Sequence, residues 1–111
     1  MSMTERIEAI REQARAILEE APAIRDPLLQ HLEATYASGA LDAKTKRLMA
    51  LCTALTHGCT GCILGQTDLA LQQGATRAEI LETCALAMSM GGTLAWSQIY
   101  KVMEYLQENG L

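Results

Sequence analysis

The sequence predicts an all-α fold of about six helices, on the strength of two observations. Helix start and stop signals recur along the whole chain as capping boxes, prolines and spaced glycines. Between these signals, apolar residues return at the spacing of a helix face, and no segment shows the sustained β-branched alternation typical of a strand. At 111 residues the chain has the size of one domain, 1–111.

The first two helices are predicted from caps, prolines and a glycine. Ser2 and Glu5 form a capping box for a helix that Pro22 ends, and its apolar positions are Ile7, Ile10, Ala14, Ile17 and Leu18. Asp26–Pro27 has the form of an N-cap followed by proline at the first helical position, so it predicts the start of a second helix. This helix is expected to stop at Ser38–Gly39 and carries Leu28, Leu29, Leu32 and Tyr36.

The third and fourth helices are predicted on either side of Gly58. Asp42 caps the third, whose apolar face carries Leu48, Leu51, Cys52 and Leu55. The fourth begins around Cys59–Cys62 and closes at Gly74, a residue type well suited to the position after a helix.

The last two helices are predicted on either side of a glycine pair. A capping box at Thr76–Glu79 opens the fifth helix, which runs to about Met90, and Gly91–Gly92 breaks it. Thr93 is expected to cap the sixth, which ends at Gly110 and presents Trp96, Ile99, Val102, Met103 and Leu106.

Charge is unevenly distributed along the chain. The net charge of −4 argues against a nucleic-acid-binding protein, which would usually carry a basic face. Residues 1–47 hold 15 of the 22 charged side chains, which predicts a solvated N-terminal wrapper. Leu48–Thr67 and Thr83–Tyr100 hold none, and their polar residues favour buried helices over membrane spans. One small chain covers two such stretches poorly, so we expect a homo-oligomer, a trimer or larger. Residues 1–20 contain no apolar segment of the kind found in a secretory signal, so the expected location is the cytoplasm.

Four cysteines occur, and two of them form a CxxC motif at a predicted helix start. Cys59 and Cys62 are spaced to close a disulfide across one helical turn, and a helix N-terminus favours thiolate over thiol. Cys52 and Cys84 are interpreted as small buried hydrophobes. In the cytosol a CxxC is usually redox-active or metal-binding.

Several chemistries compete for this motif. Structural zinc normally needs four ligands from two paired clusters, and only one pair exists here, so no metal or other cofactor is expected. A thioredoxin fold is excluded because its CxxC follows a strand. Two interpretations stay open, an all-helical thiol redox site and an inert CxxC packed in a helix junction.

Several motifs occur together in the order and spacing of a known family, namely Leu41–Lys46, Cys59-x-x-Cys62, Ala70 with Gly74, Glu79–Glu82 and Gly91–Gly92. From about 39 to 106 the chain resembles the carboxymuconolactone decarboxylase-like family, and within it the alkylhydroperoxidase D (AhpD) type core. The resemblance implies about six helices, with residues 1–38 as an N-terminal addition to the core at 39–106. It also implies trimers, hexamers or larger rings. Redox members reduce a peroxide substrate with the cysteine pair, and a dithiol reductant then restores the thiols.

The resemblance implies a division of labour within the pair, in which Cys62 attacks the peroxide and Cys59 resolves the product. The sequence departs from the family pattern at two positions. Redox members carry a Glu twelve residues before the first cysteine and a His four residues after the second, which together act as a proton relay. Here these positions are Arg47 and Gln66, and neither side chain can serve as a general base near neutral pH.

Three responses to this loss are open. Arg47, if it points at the pair, could hold a thiolate by its charge. His57 could be a substitute base, or it could simply stabilise a helix C-terminus. Alternatively the site has lost peroxidase chemistry, and the protein is a non-catalytic oligomeric module or a decarboxylase-type enzyme on another substrate, with Arg47 as a carboxylate clamp.

Overall fold

The computed structural model describes residues 1–111 and consists of six α-helices without a strand, which confirms the all-α prediction. The helices are α1 (Met3–Glu20), α2 (Pro22–Tyr36), α3 (Ala43–His57), α4 (Thr60–Gln72), α5 (Arg77–Trp96) and α6 (Ile99–Glu108). None of them is both long enough and apolar enough to span a membrane.

Local capping chemistry fixes most of the helix starts. The capping boxes at Ser2 and Thr76 are both formed, as predicted. Asp42 Oδ1 accepts a hydrogen bond of 2.7 Å from the Thr45 amide at the start of α3. Gly58 ends α3 in the left-handed conformation, at φ 71°, which only glycine adopts without strain.

The predicted start of the second helix is wrong. The helix begins at Pro22, and Pro27 lies inside it rather than at its first position. Pro22 at the first helical position has the φ value that the helix needs and no amide hydrogen to leave unpaired, so it starts α2 as well as following α1. The helix stops at Tyr36, two residues before the predicted Ser38.

The predicted break at Gly91–Gly92 is confirmed as a kink, but the predicted start of the sixth helix at Thr93 is wrong. Gly92 does leave the helical conformation, at φ 60° and ψ −147°, but α5 continues past this kink to Trp96. Helical hydrogen bonding resumes at once, since the Ser97 amide donates to the Thr93 carbonyl at 3.0 Å. The sixth helix therefore starts at Ile99 instead of at Thr93, and Trp96 is 60% exposed instead of lining its face.

The main core lies where α3, α4, α5 and α6 meet, and its largest fully buried side chains include Leu51, Leu55, Ile63, Ile80, Val102 and Leu106. A smaller cluster, formed by Met3, Ile7, Leu64 and Tyr105, attaches α1 to α4 and α6. Glu108 of α6 strengthens this attachment, because its carboxylate accepts hydrogen bonds from the Met3 and Thr4 amides at 3.0 and 2.9 Å.

The two N-terminal helices contribute little to the core. Of the apolar face predicted for α1, only Ile7 is buried, and Ile17 is 69% exposed. α2 buries no residue at all, and its predicted Leu28, Leu29 and Leu32 are exposed. The apolar sides of these helices thus have no cover within a single chain.

Candidate active site

The cysteine pair forms the first turn of α4. Cys59 is the N-cap, and its Sγ accepts a hydrogen bond from the Cys62 amide at 3.2 Å. The two sulfurs lie at disulfide distance, with the Cα atoms 5.2 Å apart. Cys62 is exposed and Cys59 is half-buried, so Cys62 is the more accessible to a solute. The helix N-terminus provides positive potential at the pair, and the amide donor there serves Cys59 Sγ.

Two glycines allow the chain to reach this geometry. Gly58 reverses the chain direction between α3 and α4. A Cβ atom on Gly61, within the motif, would lie only 3.3 Å from Ile10 Cγ2 of α1. Glycine at this position therefore lets the first turn of α4 pack closely against α1.

A cavity of about 300 Å³ opens beside the pair and is lined by Tyr36, Ala50, Thr53, Ala54, His57, Cys59, Cys62 and Gln66. It brings together four of the five residues that the sequence analysis singled out. His57, the last residue of α3, is exposed at the rim, where the helix dipole favours a cation. The lining is otherwise largely apolar, which suits a small organic molecule.

Arg47, the fifth of these residues, contacts the wall of the cavity from α3. Its Nη1 donates a hydrogen bond to Gln66 Oε1 at 3.2 Å. Its guanidinium carbon lies 3.6 Å from the centroid of the Tyr36 ring, in a cation–π contact. The two residues at the relay positions therefore touch each other, and no hydrogen bond joins Arg47 to either cysteine.

Tyr36 is a site residue that the sequence analysis missed, because it named this residue only among the apolar side chains of the second helix. The tyrosine is the last residue of α2 and is half-buried. Its role depends on a contact with α3, which helical periodicity does not report. The one available signal was the scarcity of aromatic residues, since the chain has only one Trp, three Tyr and no Phe.

The remaining cysteines lie apart from this cavity. Cys84 is buried in the main core, and burial together with the nearby Cys52 raises the pKa of its thiol to about 11. Cys52 is half-buried and packs against the same core. No group of three or more His, Cys, Asp or Glu side chains converges as a metal site would require.

The sequence pattern of the carboxymuconolactone decarboxylase family matches residues 22–105, which is most of the chain. The protein belongs to this family. Its fold agrees, since a carboxymuconolactone decarboxylase family protein of Legionella pneumophila, lpg0406 in its apo form, superposes with a TM-score of 0.88. That protein is 30% identical, over 96% of this chain and 95% of its own.

Two further proteins are similar to this chain. A Thermotoga maritima protein of the family, TM1620, for which involvement in an antioxidative response has been suggested, has a TM-score of 0.82 and 25% identity. The match covers 95% of this chain and 90% of that one. Uncharacterized protein 4 in the cox locus of Paracoccus denitrificans is 32% identical over 108 residues, which is 97% of this chain and 94% of that protein.

Proposed function

We propose that this protein is a thiol–disulfide redox protein that reduces hydroperoxides with Cys59 and Cys62. The observation that carries the proposal is the position of the two sulfurs, at disulfide distance on a helix N-terminus and beside an open cavity. The antioxidative role suggested for the Thermotoga protein supports the same class of activity.

The proposed reaction consumes one hydroperoxide and two thiols. The Cys62 thiolate attacks the outer peroxide oxygen, the O–O bond breaks, and the alkoxide leaves as an alcohol after taking a proton. Cys62 is left as a sulfenic acid. The Cys59 thiol then attacks the Cys62 sulfur, water leaves, and the disulfide forms. A dithiol reductant of the cytoplasm supplies two electrons and two protons to restore the thiols and becomes a disulfide itself.

Each cysteine suits the role proposed for it. Cys62 is the more exposed of the two, as the attacking residue must be. Cys59 Sγ lies at disulfide distance from Cys62 Sγ, close enough to resolve the sulfenic acid without a large movement. His57 is the imidazole that lines the cavity, and we assign it the proton for the leaving alkoxide. Because Arg47 and Gln66 replace the usual relay, we propose a slow peroxidase, lacking some of the 10²- to 10⁴-fold that positioned acid–base groups typically contribute.

The test is a thiol count before and after mild oxidation. The reduced protein is exposed to a small excess of hydroperoxide, quenched and titrated in denaturant, so that buried Cys84 is counted as well. We expect the thiol count to fall from four to two in wild type. In Cys84→Ala it should fall from three to one, because the same pair is oxidised. Cys59→Ser and Cys62→Ser should each lose the intramolecular bond. Four persisting thiols, or bridges formed only between chains, would favour a non-catalytic module instead.

A further inference from the structure

A lysine is buried beside the CxxC turn without an acidic partner. Lys101 of α6 is only 7% exposed. Its Nζ donates to the side-chain oxygens of Thr60 and Gln98, both of which are neutral acceptors. None of the ion pairs of the protein includes Lys101. Lysine is almost never buried so fully without a paired charge, so the position calls for an anion that is not always present.

The lysine is held at the same helix end as the cysteines. Thr60, its hydrogen-bond partner, is the first residue of α4 and directly follows Cys59. Covalent geometry therefore places the ammonium within about 9 Å of the Cys59 Cα atom. It approaches from α6, whereas the cavity opens between α3 and α4. Lys101 is not among the residues that line the cavity, so its charge does not occupy the space of a substrate.

The other ionisable groups around the turn are either engaged elsewhere or exposed. From α1, Arg11 forms an ion pair with Asp68 of α4 at 2.9 Å. From α3, Arg47 is bonded to Gln66 and stacked on the α2 residue Tyr36, and His57 lies exposed at the cavity rim. From α5, the residue nearest to Gly58 is Leu94, which is uncharged.

We propose that Lys101 is an electrostatic positioning residue of the cysteine pair, whose ammonium favours the thiolate of the reduced form and makes the disulfide easier to reduce. The inference rests on the proposed function. The disulfide carries no charge. Its reduction by a dithiol breaks the S–S bond and leaves two thiols, one of which releases a proton to give a thiolate. Lys101 stabilises this anion and has no equivalent effect on the disulfide, so it shifts the equilibrium towards the reduced pair.

This assignment gives the site a fixed charge from α6, whereas the family pattern has a proton relay at positions 47 and 66 of α3 and α4. A relay produces the thiolate by accepting the proton of the thiol. A buried ammonium instead raises the fraction of thiolate by its charge and accepts no proton. Burial increases the effect, because a charge interaction is screened less in the interior than in water.

The experiment measures the thiol pKa and the disulfide equilibrium directly. The pKa of the reactive thiol of the pair comes from the pH dependence of its alkylation by iodoacetamide in the reduced protein. The disulfide equilibrium comes from glutathione redox buffers. Lys101→Met and Lys101→Gln both remove the charge, and Lys101→Gln keeps an amide donor towards Thr60. Lys101→Arg keeps the charge. Lys44→Met is the matched control, because it also removes one positive charge but at the opposite end of α3, about 20 Å along the helix from His57.

We expect Lys101→Met and Lys101→Gln to raise the thiol pKa by about one unit, as loss of a nearby opposite charge does. At a pH above the thiol pKa of both wild type and variant, the disulfide of the variant should be about tenfold more stable against glutathione than that of wild type. This corresponds to a redox potential about 30 mV more reducing. The difference should vanish two units below the wild-type pKa, where both reduced forms are fully protonated. Lys101→Arg and Lys44→Met should stay close to wild type.

Three results would overturn the inference. These are a wild-type pKa at the ordinary cysteine value, unchanged values in Lys101→Gln, and an equal shift in Lys44→Met. Circular dichroism checks the fold, and if Lys101→Met does not fold, Lys101→Gln decides alone. Peroxide turnover is not a readout here. A protein with a shifted pKa but no peroxidase activity would contradict only the proposed function, and an active enzyme insensitive to Lys101→Gln would contradict only the role of the lysine.

Discussion

The contact between Arg47 and Gln66 shows that the relay positions remain neighbours although their side chains cannot relay a proton. Position 47 projects from α3 and position 66 from α4, and their side chains meet at 3.2 Å beside the cysteines. Because the two positions face each other, a carboxylate and an imidazole placed there would project towards the same point and could exchange a proton. Positions 47 and 66 are thus neighbours in the fold, although neither holds a carboxylate or an imidazole.

The double variant Arg47→Glu with Gln66→His should therefore restore general acid–base help. We expect peroxide turnover to rise at least about tenfold, a conservative share of the usual contribution. Each single variant should gain less, because members of a relay act as a unit. The assay needs a saturating dithiol, so that regeneration of the thiols is not limiting. A folded double variant no faster than wild type would indicate that His57 already serves as the base or that the cavity binds another kind of molecule.

Cys84 gives a prediction about alkaline pH. Burial raises the pKa of its thiol from 9.0 to about 11, so the folded protein keeps the proton at a pH where the unfolded chain has released it. Its contribution to stability is complete below pH 9 and is lost as the pH rises towards 11. Urea unfolding of wild type should show this decline in free energy, and Cys84→Ala should show a smaller one. Equal declines would assign the alkaline sensitivity to other groups such as Tyr105, whose pKa is also raised.

At the scale of the elements, α5 packs closely against Thr56 of α3 at Gly91. A Cβ atom there would lie 2.9 Å from Thr56 Cγ2 and 2.8 Å from Ala95 Cβ. Thr56 immediately precedes His57, the last residue of α3, so this contact sets the height at which α3 ends beside the cysteines. Glycine at 91 therefore serves the position of the site as well as the packing of the core.

Gly91→Ala should force α3 and α5 apart. We expect a loss of about 1–3 kcal/mol in the free energy of unfolding, the usual range for overpacking, together with slower disulfide formation. Gly65→Ala is the matched control inside α4, where a Cβ would meet Ile7 at an ordinary 3.7 Å. This control should gain roughly 0.5–1 kcal/mol from helix propensity. Chemical denaturation measures both, and similar effects of the two variants would contradict the proposed crowding.

The elements differ in how far local sequence determines them. The caps at Ser2, Asp42 and Thr76 were predictable because each is satisfied within one turn. Pro27 misled the prediction because it occurs inside a helix that begins earlier, at Pro22. Gly92 does break the helical conformation, but a single further turn follows it before the sixth helix begins at Ile99. The cysteine pair was predictable from its spacing, whereas the stacking of Arg47 and the burial of Lys101 depend on helices distant in sequence. Local pattern thus located the reactive sulfurs but not the groups that surround them.

At the scale of the whole molecule, large apolar side chains lie uncovered on the surface of a single chain. In the two charge-free stretches these are Met49, Leu86, Met90, Leu94, Trp96 and Tyr100. Met49 and Leu86 also border a groove of about 450 Å³ between α3 and α5. Such a surface is typical of a protein that associates. We propose that the protein assembles with copies of itself through this face, as a trimer or larger.

Light scattering at micromolar concentration should return a mass of at least three chains of 12.1 kDa. Leu86→Glu or Met90→Glu should dissociate the assembly, because a charge would then be buried at the interface. Ile17→Glu introduces the same charge on α1, outside the charge-free stretches, and should leave the mass unchanged. A 12.1 kDa particle in wild type would contradict the proposal, and dissociation by Ile17→Glu alone would place the interface on α1.

The four cysteines differ enough in reactivity that one of them can be labelled selectively. Once the pair is oxidised, its sulfurs no longer react with thiol-alkylating reagents, and Cys84 is shielded by burial and a raised pKa. Cys52 is then left as the accessible free thiol, on the wall of the groove between α3 and α5. A single fluorophore attached there needs no engineered cysteine. Its emission would report, in real time, whether a neighbouring chain has closed over the groove.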